Sequence, residues 1–264
     1  MTGGTPLKIA FFDVENSPNL GYYYDPYPKH GSNIVATVKP WFMLSFAYKR
    51  PKDSRITYHA LPDYPGYKKN KTSDEKLVHD LWHLFDSNDV LMGHNIKSFD
   101  TRKANSRFIY WGLKPPSPYI MLDSLKEWRR AAYQDSNRLG DLSKFVGSSG
   151  KLPTHGWDTW DGAINGDPKS WEILKKYNKH DVHEAEVIWN VISPWVKNHP
   201  RIFDQGCPAC GSFEIHRRGR VRQSQKFQFN CRPCGHWFTA KLTDPAIERV
   251  GLDPVCDEDD LPTT

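Results

Sequence analysis

The sequence predicts an α/β protein, a mixed β-sheet flanked by helices, extended at its C-terminal end by a small cysteine-bearing module. Three observations carry that reading. Apolar and β-branched runs of strand length crowd the chain before Leu61 and recur near Val90. Amphipathic stretches with helical spacing begin at Ser73. Four of the five cysteines fall between Cys207 and Cys234, and none occurs earlier. Taken in order, LKIAFFD (Leu7 to Asp13) is a nearly continuous apolar run, as expected of a strand buried on both faces. NIVATV from Asn33 and WFMLSFAY from Trp41 are rich in β-branched and aromatic residues, and SRITYHAL from Ser54 alternates, so these read as further strands. SDEKLVHDLWHLF opens with Ser73 as an N-cap, carries Asp74 and Glu75 in its first turn and sets Leu77, Leu81, Leu84 and Phe85 on one face. DVLMGH from Asp89 reads as a buried strand and Thr101 to Trp111 as a second helix. Lys179 to Trp195 reads as a third, with Val182, Ala185, Ile188, Trp189 and Ile192 at helical spacing.

A chain of 264 residues with 38% hydrophobic content can bury a sizeable core, which excludes a disordered tail or a disulfide-stapled miniprotein. An odd cysteine count with four clustered thiols argues for a metal site in a reducing compartment. The N-terminal MTGGTPLKIAFFDVEN has no basic segment leading into a long apolar stretch, so no signal peptide is expected. The longest apolar run, Trp41 to Tyr48, is far short of the roughly 20 residues that cross a bilayer. A cytoplasmic protein without membrane contact is the expectation. The net charge of +5 divides unevenly: +5 in residues 1–199, +6 in residues 200–243 and −6 in residues 244–264. These are the three expected pieces, an α/β domain, a basic cysteine module and an acidic, disordered tail, with the first boundary near Asn198, His199 and Pro200.

The strongest chemical signal is four acids at the edges of these elements. Asp13 and Glu15 stand in FFDVEN, where the first strand ends, and period-2 geometry points both to one face. Asp100 closes GHNIKSFD, just after the second buried strand. Asp181 lies four residues beyond Tyr177 in YNKHD, one above the other on a helix. Four converging carboxylates repel one another at neutral pH, and bound divalent cations resolve that conflict. Oxygen-only ligands with room for a substrate phosphate suit Mg²⁺ or Mn²⁺.

FFDVEN, GHNIKSFD and YNKHD resemble the three motifs of the DEDD superfamily, the ribonuclease H-like 3′–5′ exonucleases that include polymerase proofreading domains. Flanking stretches resemble exonucleases often encoded by bacteriophages, and the likeness covers about residues 7–195. The histidine subtype needs His five residues before Asp181, where Lys176 stands. Tyr177 occupies the place that the tyrosine subtype, DEDDy, requires. The resemblance implies a ribonuclease H-like fold in which Asp13, Glu15 and Asp181 hold one cation, and Asp13 with Asp100 a second. Two cations about 4 Å apart serve the attacking water and the leaving 3′ oxygen. By the same resemblance Tyr177 orients the water; its ordinary pKa near 10 makes it a poor general base. Asn95 falls on the Asn of the second motif and is expected to position substrate. Asp123 falls where relatives carry an acid, and serves equally as an N-cap for a following helix. His94, His180 and His183 lack spaced partners and read as polar surface or supporting groups.

Cys207-Pro-Ala-Cys210 and Cys231-Arg-Pro-Cys234 give C-x₂-C-x₂₀-C-x₂-C, which matches a closed, structural Zn²⁺ site. Gly211 and Gly235 follow the second Cys of each pair and suit tight knuckle turns. The segment resembles the zinc ribbons of transposases and transcription-related proteins. About forty residues bury too little core alone, so zinc would supply most of the folding energy. Between the knuckles, HRRGRVRQSQK brings Arg217, Arg218, Arg220, Arg222 and Lys226 near Phe227, Phe229 and Trp237, a set suited to gripping a phosphate backbone. Cys256 reads as an incidental thiol. The expected partner is nucleic acid, single-stranded DNA or a 3′ end rather than a specific sequence. A non-catalytic nucleic-acid-binding protein that kept the fold and a transposase-like strand-transfer enzyme are the alternatives. Two acids on the first strand and Tyr-x₃-Asp on the last helix favour the exonuclease.

Overall fold

A computed structural model describes residues 7–24, 34–51, 53–150, 152–197, 199–203, 205–221 and 224–248. Asn33, Asn198, Arg222, Cys256 and the acidic stretch beyond residue 248 lie outside the described residues. The central sheet has five strands in the order β5-β4-β1-β6-β7. These are β1 (Ile9–Asn16), β4 (Met43–Lys49), β5 (Thr57–Ala60), β6 (Val90–Gly93) and β7 (Ile120–Asp123). β1, β4 and β5 pair antiparallel, whereas β1, β6 and β7 pair parallel, so the sheet is mixed as expected. Hairpins can join the antiparallel half, but parallel strands need crossovers. The crossovers are the helices α1 (Glu75–Asp86), between β1's half and β6, and α2 (Asp100–Tyr110), between β6 and β7.

Several elements differ from expectation, each for a physical reason. NIVATV forms β3 (Ile34–Lys39), but it pairs with an unforeseen β2 (Leu20–Tyr23) in a separate two-stranded ribbon. Every residue of β3 is exposed: β-branched composition marks an extended conformation and not a buried face. The cap of α1 is Asp74, not Ser73, and its carboxylate turns inward. It accepts from Met43 N at 2.7 Å, from Trp111 Nε1 at 2.8 Å and from the Arg107 guanidinium. That buried pair ties β4, α1 and α2 together.

The last long helix, α6, spans Pro168–Ile192 and so begins well before Lys179. Asp167 starts it: its carboxylate accepts from Ser170 N at 2.9 Å and Ser170 Oγ at 2.7 Å, ahead of a first-turn proline. Between β7 and α6 lie α3 (Ser124–Ala131), α4 (Leu139–Phe145) and α5 (Trp157–Asn165).

The chain divides into two compact units. Among the described residues, one comprises Lys8–Lys126 and Gln134–Ile188; the other is formed by Leu7, Glu127–Tyr133 and the chain from Trp189 to residue 248. The core of the first joins Phe12, Phe46, Leu81, Phe85, Leu91 and Leu174. The second holds a three-stranded antiparallel sheet, β10-β9-β8, of β8 (Ile215–Arg220), β9 (Phe227–Cys231) and β10 (Trp237–Ala240). Its division from the first falls inside α6, earlier than residue 199. The reason is local packing: Trp189 lies 5.7 Å from His199, His199 lies 5.6 Å from His236, and His236 Nδ1 lies 3.0 Å from Pro194 O. Among the described residues no helix is long and apolar enough to cross a membrane.

Candidate active site and cysteine cluster

β1 alternates as its sequence requires: Phe12 and Val14 are buried, while Asp13 and Glu15 are half-buried on the other face. Phe12 packs edge-on against Phe85 of α1 at 5.1 Å, which fixes the direction of its neighbour Asp13. α6 covers the carboxylate face. Asn178 Nδ2 donates to Asp13 Oδ2 at 2.6 Å, and Ser45 Oγ of β4 donates to Asn178 Oδ1 at 3.3 Å. One oxygen from each of Asp13, Glu15 and Asp181 lies within 4.8 Å of the others.

Asp100 stands outside that trio. It is the first residue of α2, with Phe99 as the cap. Its carboxylate is buried and accepts from Val14 N at 3.2 Å, which binds the start of α2 to β1 beside Asp13. Gly93 lets this approach happen, because a Cβ there would stand 2.9 Å from Phe12 O and 2.5 Å from Ile96 Cγ2. Asn95 takes the left-handed region at φ 65°, and its N–H donates to Asp123 Oδ1 at 2.9 Å. Asp123 also accepts from Lys97 N at 3.1 Å and caps α3 through Leu125 N at 3.1 Å. It therefore shapes the turn between β6 and α2 as well as capping. His94 is occupied in the same way, between Ser124 Oγ and Asn137 O, each at 2.9 Å. His180 Nε2 lies 2.5 Å from Gly150 O and serves the 148–150 loop.

The electrostatics are those of several acids crowded together. Burial raises the pKa of Asp13 well above the carboxylate range, and the charges of Asp100, Glu15 and Asp181 raise it further; only the Asn178 amide works the other way. Burial pushes Asp100 up to about 7 against the Val14 N–H, with Asp123 and Asp181 adding to the rise. The Tyr177 phenol is raised by burial, then by Asp181, Glu15 and Asp13, and it hydrogen-bonds Asp181. It remains a protonated donor throughout the physiological range, held edge-on by Trp160 at 5.7 Å.

The fold is similar to that of a solved DNA polymerase. One match is a family B DNA polymerase from the hyperthermophilic archaeon Pyrobaculum calidifontis, with a TM-score of 0.50 and 15% sequence identity over 72% of this chain. It covers 26% of the polymerase chain, so this chain corresponds to about a quarter of that one. At that identity the likeness speaks for the fold alone. No protein-family model and no curated protein matches the sequence.

In the second unit the sulfurs of Cys207, Cys210, Cys231 and Cys234 lie within 4.8 Å of one another. The two pairs have the same turn. Gly211 N donates to Cys207 O and Gly235 N to Cys231 O, each at 2.8 Å, with φ of 73° and 76° at the glycines. Cys207 N and Cys231 N donate in turn to Ser212 O and His236 O, each at 2.9 Å. The Cys207–Cys234 and Cys210–Cys231 sulfurs stand 3.7 and 3.6 Å apart. A tetrahedron with metal–sulfur bonds of about 2.3 Å has an edge of about 3.8 Å, so the four thiols fit a Zn²⁺-sized ion. Without a cation, burial pushes the Cys207 thiol up to about 12 and raises Cys231 as well. A metal that binds thiolates would reverse both.

Arg217 pairs in register with Phe229, and Arg220 with Phe227; the strand bulges between Arg217 and Gly219, at Arg218. The Arg217 guanidinium lies 5.3 Å over the Phe227 ring. Arg218, Arg220 and Lys226 are exposed. Sequence reasoning missed Asn178, a side chain that holds Asp13 directly. Its signal was present: Asn178 and Asp181 are three apart on α6 and share a face.

Proposed function

We propose that the chain is a metal-dependent 3′–5′ exonuclease of the tyrosine DEDD subtype on a ribonuclease H-like fold, acting on single-stranded DNA or a frayed 3′ end. The observation that carries this is the convergence of Asp13, Glu15 and Asp181 within 4.8 Å, beside a buried Asp100, with the pKa of Asp13 raised by burial and then by its acidic neighbours. The oxygen donors of such a group fit Mg²⁺ or Mn²⁺. Asp13, Glu15 and Asp181 would hold one cation, and Asp13 with Asp100 the second. Bound there, two cations supply an activated water and a stabilised leaving oxygen at a phosphodiester.

The remaining roles belong to the chain itself. Asn178 fixes the rotamer of Asp13. Tyr177 donates a hydrogen bond from a phenol that stays protonated, which orients a water and does not deprotonate it. Asn95, on its left-handed backbone, positions the terminal nucleotide. The cysteine module holds one structural Zn²⁺, and Arg217, Arg218, Arg220, Arg222 and Lys226 add phosphate contacts. Similarity to part of a DNA polymerase agrees with a nucleic-acid substrate. The test is a 5′-labelled single strand incubated with Mg²⁺ or Mn²⁺, or with no added cation. The expected product is a ladder shortening from the 3′ end, absent without cation and absent in Asp181→Ala. Internal cuts, or a ladder that survives in Asp181→Ala, would contradict the proposal.

A further inference from the structure

The sheet face that carries the carboxylates leads, two strands away, to a basic and aromatic groove. Cross-strand partners share a face. Asp13 pairs with Ala47 and Ala47 with Tyr58; Glu15 pairs with Ser45 and Ser45 with Ala60. Tyr58 and Ala60 line one side of a groove of about 1220 Å³. At about 4.8 Å per strand, the Tyr58 backbone is on the order of 10 Å from that of Asp13. The other side is α6, through Trp171, Lys175 and Lys179, and Lys179 stands two residues from both Tyr177 and Asp181. The volume exceeds the roughly 1,000 Å³ upper end of small-molecule pockets, so the groove suits a segment of polymer.

Its charge is unbalanced. The lining holds five lysines and two acids, Asp63 and Glu172. Asp63 turns back to Ala60 N at 2.9 Å, Glu172 lies 3.8 Å from Lys175, and Lys71 Nζ donates to Asn165 O at 2.5 Å. Lys68, Lys69 and Lys179 form no ion pair among the described residues. Beside these ammonium groups stand rings that their polar tips hold still. The Tyr64 hydroxyl donates to Asp80 at 2.6 Å, and Trp171 Nε1 donates to the Tyr67 hydroxyl at 3.1 Å with the two rings edge-on. Fixed aromatic rings combined with unpaired cations are the two components of single-strand binding: the cations take the phosphates and the rings take unstacked bases. A duplex keeps its base faces covered and would leave the rings unused.

We propose that this groove binds the single-stranded segment lying 5′ of the nucleotide presented to Asp13, Glu15 and Asp181. The direction of the strand rests on the exonuclease reading; the affinity of the groove for single strands does not. The experiment is fluorescence anisotropy of a labelled single strand of about 20 nucleotides with the full chain, over a range of salt and without added Mg²⁺. A phosphate-contacting lysine contributes about 0.7 to the slope of log K against log salt for single strands, so Lys68→Ala/Lys69→Ala should lower the slope by about 1.4. Lys114→Ala/Lys126→Ala, exposed and outside the groove, should leave it unchanged. Hydrolysis of bis(4-nitrophenyl) phosphate with Mn²⁺ reads the carboxylates without the groove and should be the same in all variants. An unaltered slope in Lys68→Ala/Lys69→Ala, no binding by the wild-type chain, or tighter binding of a duplex would each overturn the groove. A lowered slope with no Mn²⁺-dependent diester hydrolysis would support the groove and count against the exonuclease reading alone.

Discussion

The carboxylate trio and the cysteine quartet are both clusters of like groups crowded within 4.8 Å, yet their scaffolds differ in kind. Asp13, Glu15 and Asp181 sit on a five-stranded sheet and a 25-residue helix whose core of Phe12, Phe46, Phe85 and Leu91 is complete without them. Of the cysteines only Cys231 lies in a strand; the others sit at turns beside three short strands with a small core of Ala209, Ile215, Phe229, Ala240 and Ile247, to which Cys207 and Cys231 themselves belong. On the proposed reading, folding in the first region creates the metal site and tolerates its electrostatic cost, whereas in the second a bound metal would create the fold. Loss of metal should therefore silence one region and unfold the other.

The largest expected effect follows from that contrast. Structural zinc contributes on the order of 10 kcal/mol to folding of such modules, so Cys231→Ser should abolish amide-exchange protection across β8, β9 and β10 while β1 and β4 keep theirs. Protection retained in β8 to β10 would erase the distinction.

A smaller effect probes the cost carried by the carboxylate region. Asp100 titrates at about 7 when folded, against an ordinary value of 3.8, so the folded chain keeps a proton that the unfolded chain releases. Its contribution to stability is then lost as pH rises from about 4 to above 7 in the absence of Mg²⁺ or Mn²⁺. Asp100→Asn should raise the urea midpoint at pH 8 by the equivalent of a few kcal/mol and leave it unchanged near pH 4. A gain of equal size at both pH values would mean that packing, not charge, is responsible.

Smaller still is the effect of removing one oriented hydrogen bond. Tyr177→Phe should slow strand hydrolysis by about 10- to 100-fold with the Mn²⁺ affinity unchanged. An unaltered rate would remove the water-orienting role and with it the subtype assignment.

The two regions also differed in how much of them the sequence disclosed. The cysteine spacing announced the cluster and the glycine turns, because both are local. The acids on β1 were readable because a strand of period 2 puts Asp13 and Glu15 on one face, and Tyr177 with Asp181 because a helix stacks residues four apart. The spacing of Asn178 to Asp181 was readable but its partner Asp13 was not, since that contact depends on α6 crossing β1 and β4, which no local pattern records. Nor was the placement of Asp100, whose partner Val14 is 86 residues away. The β2–β3 ribbon shows the same limit from the other side: its residues favour strands, and only the tertiary fold decides that they stay exposed. Four-residue β7 and the short helices α4 and α5 offer too few turns for periodicity to show. The early start of α6 was legible in Asp167 and Pro168.

The central claim is that the trio binds a divalent cation independently of the cysteine cluster. Calorimetric titration of Mn²⁺ into zinc-loaded wild type and Asp13→Asn tests it, with zinc content measured on both. The expected result is Mn²⁺ binding in the wild type, its loss in Asp13→Asn, and one zinc per chain in each. Mn²⁺ binding of equal affinity in the two proteins would contradict it.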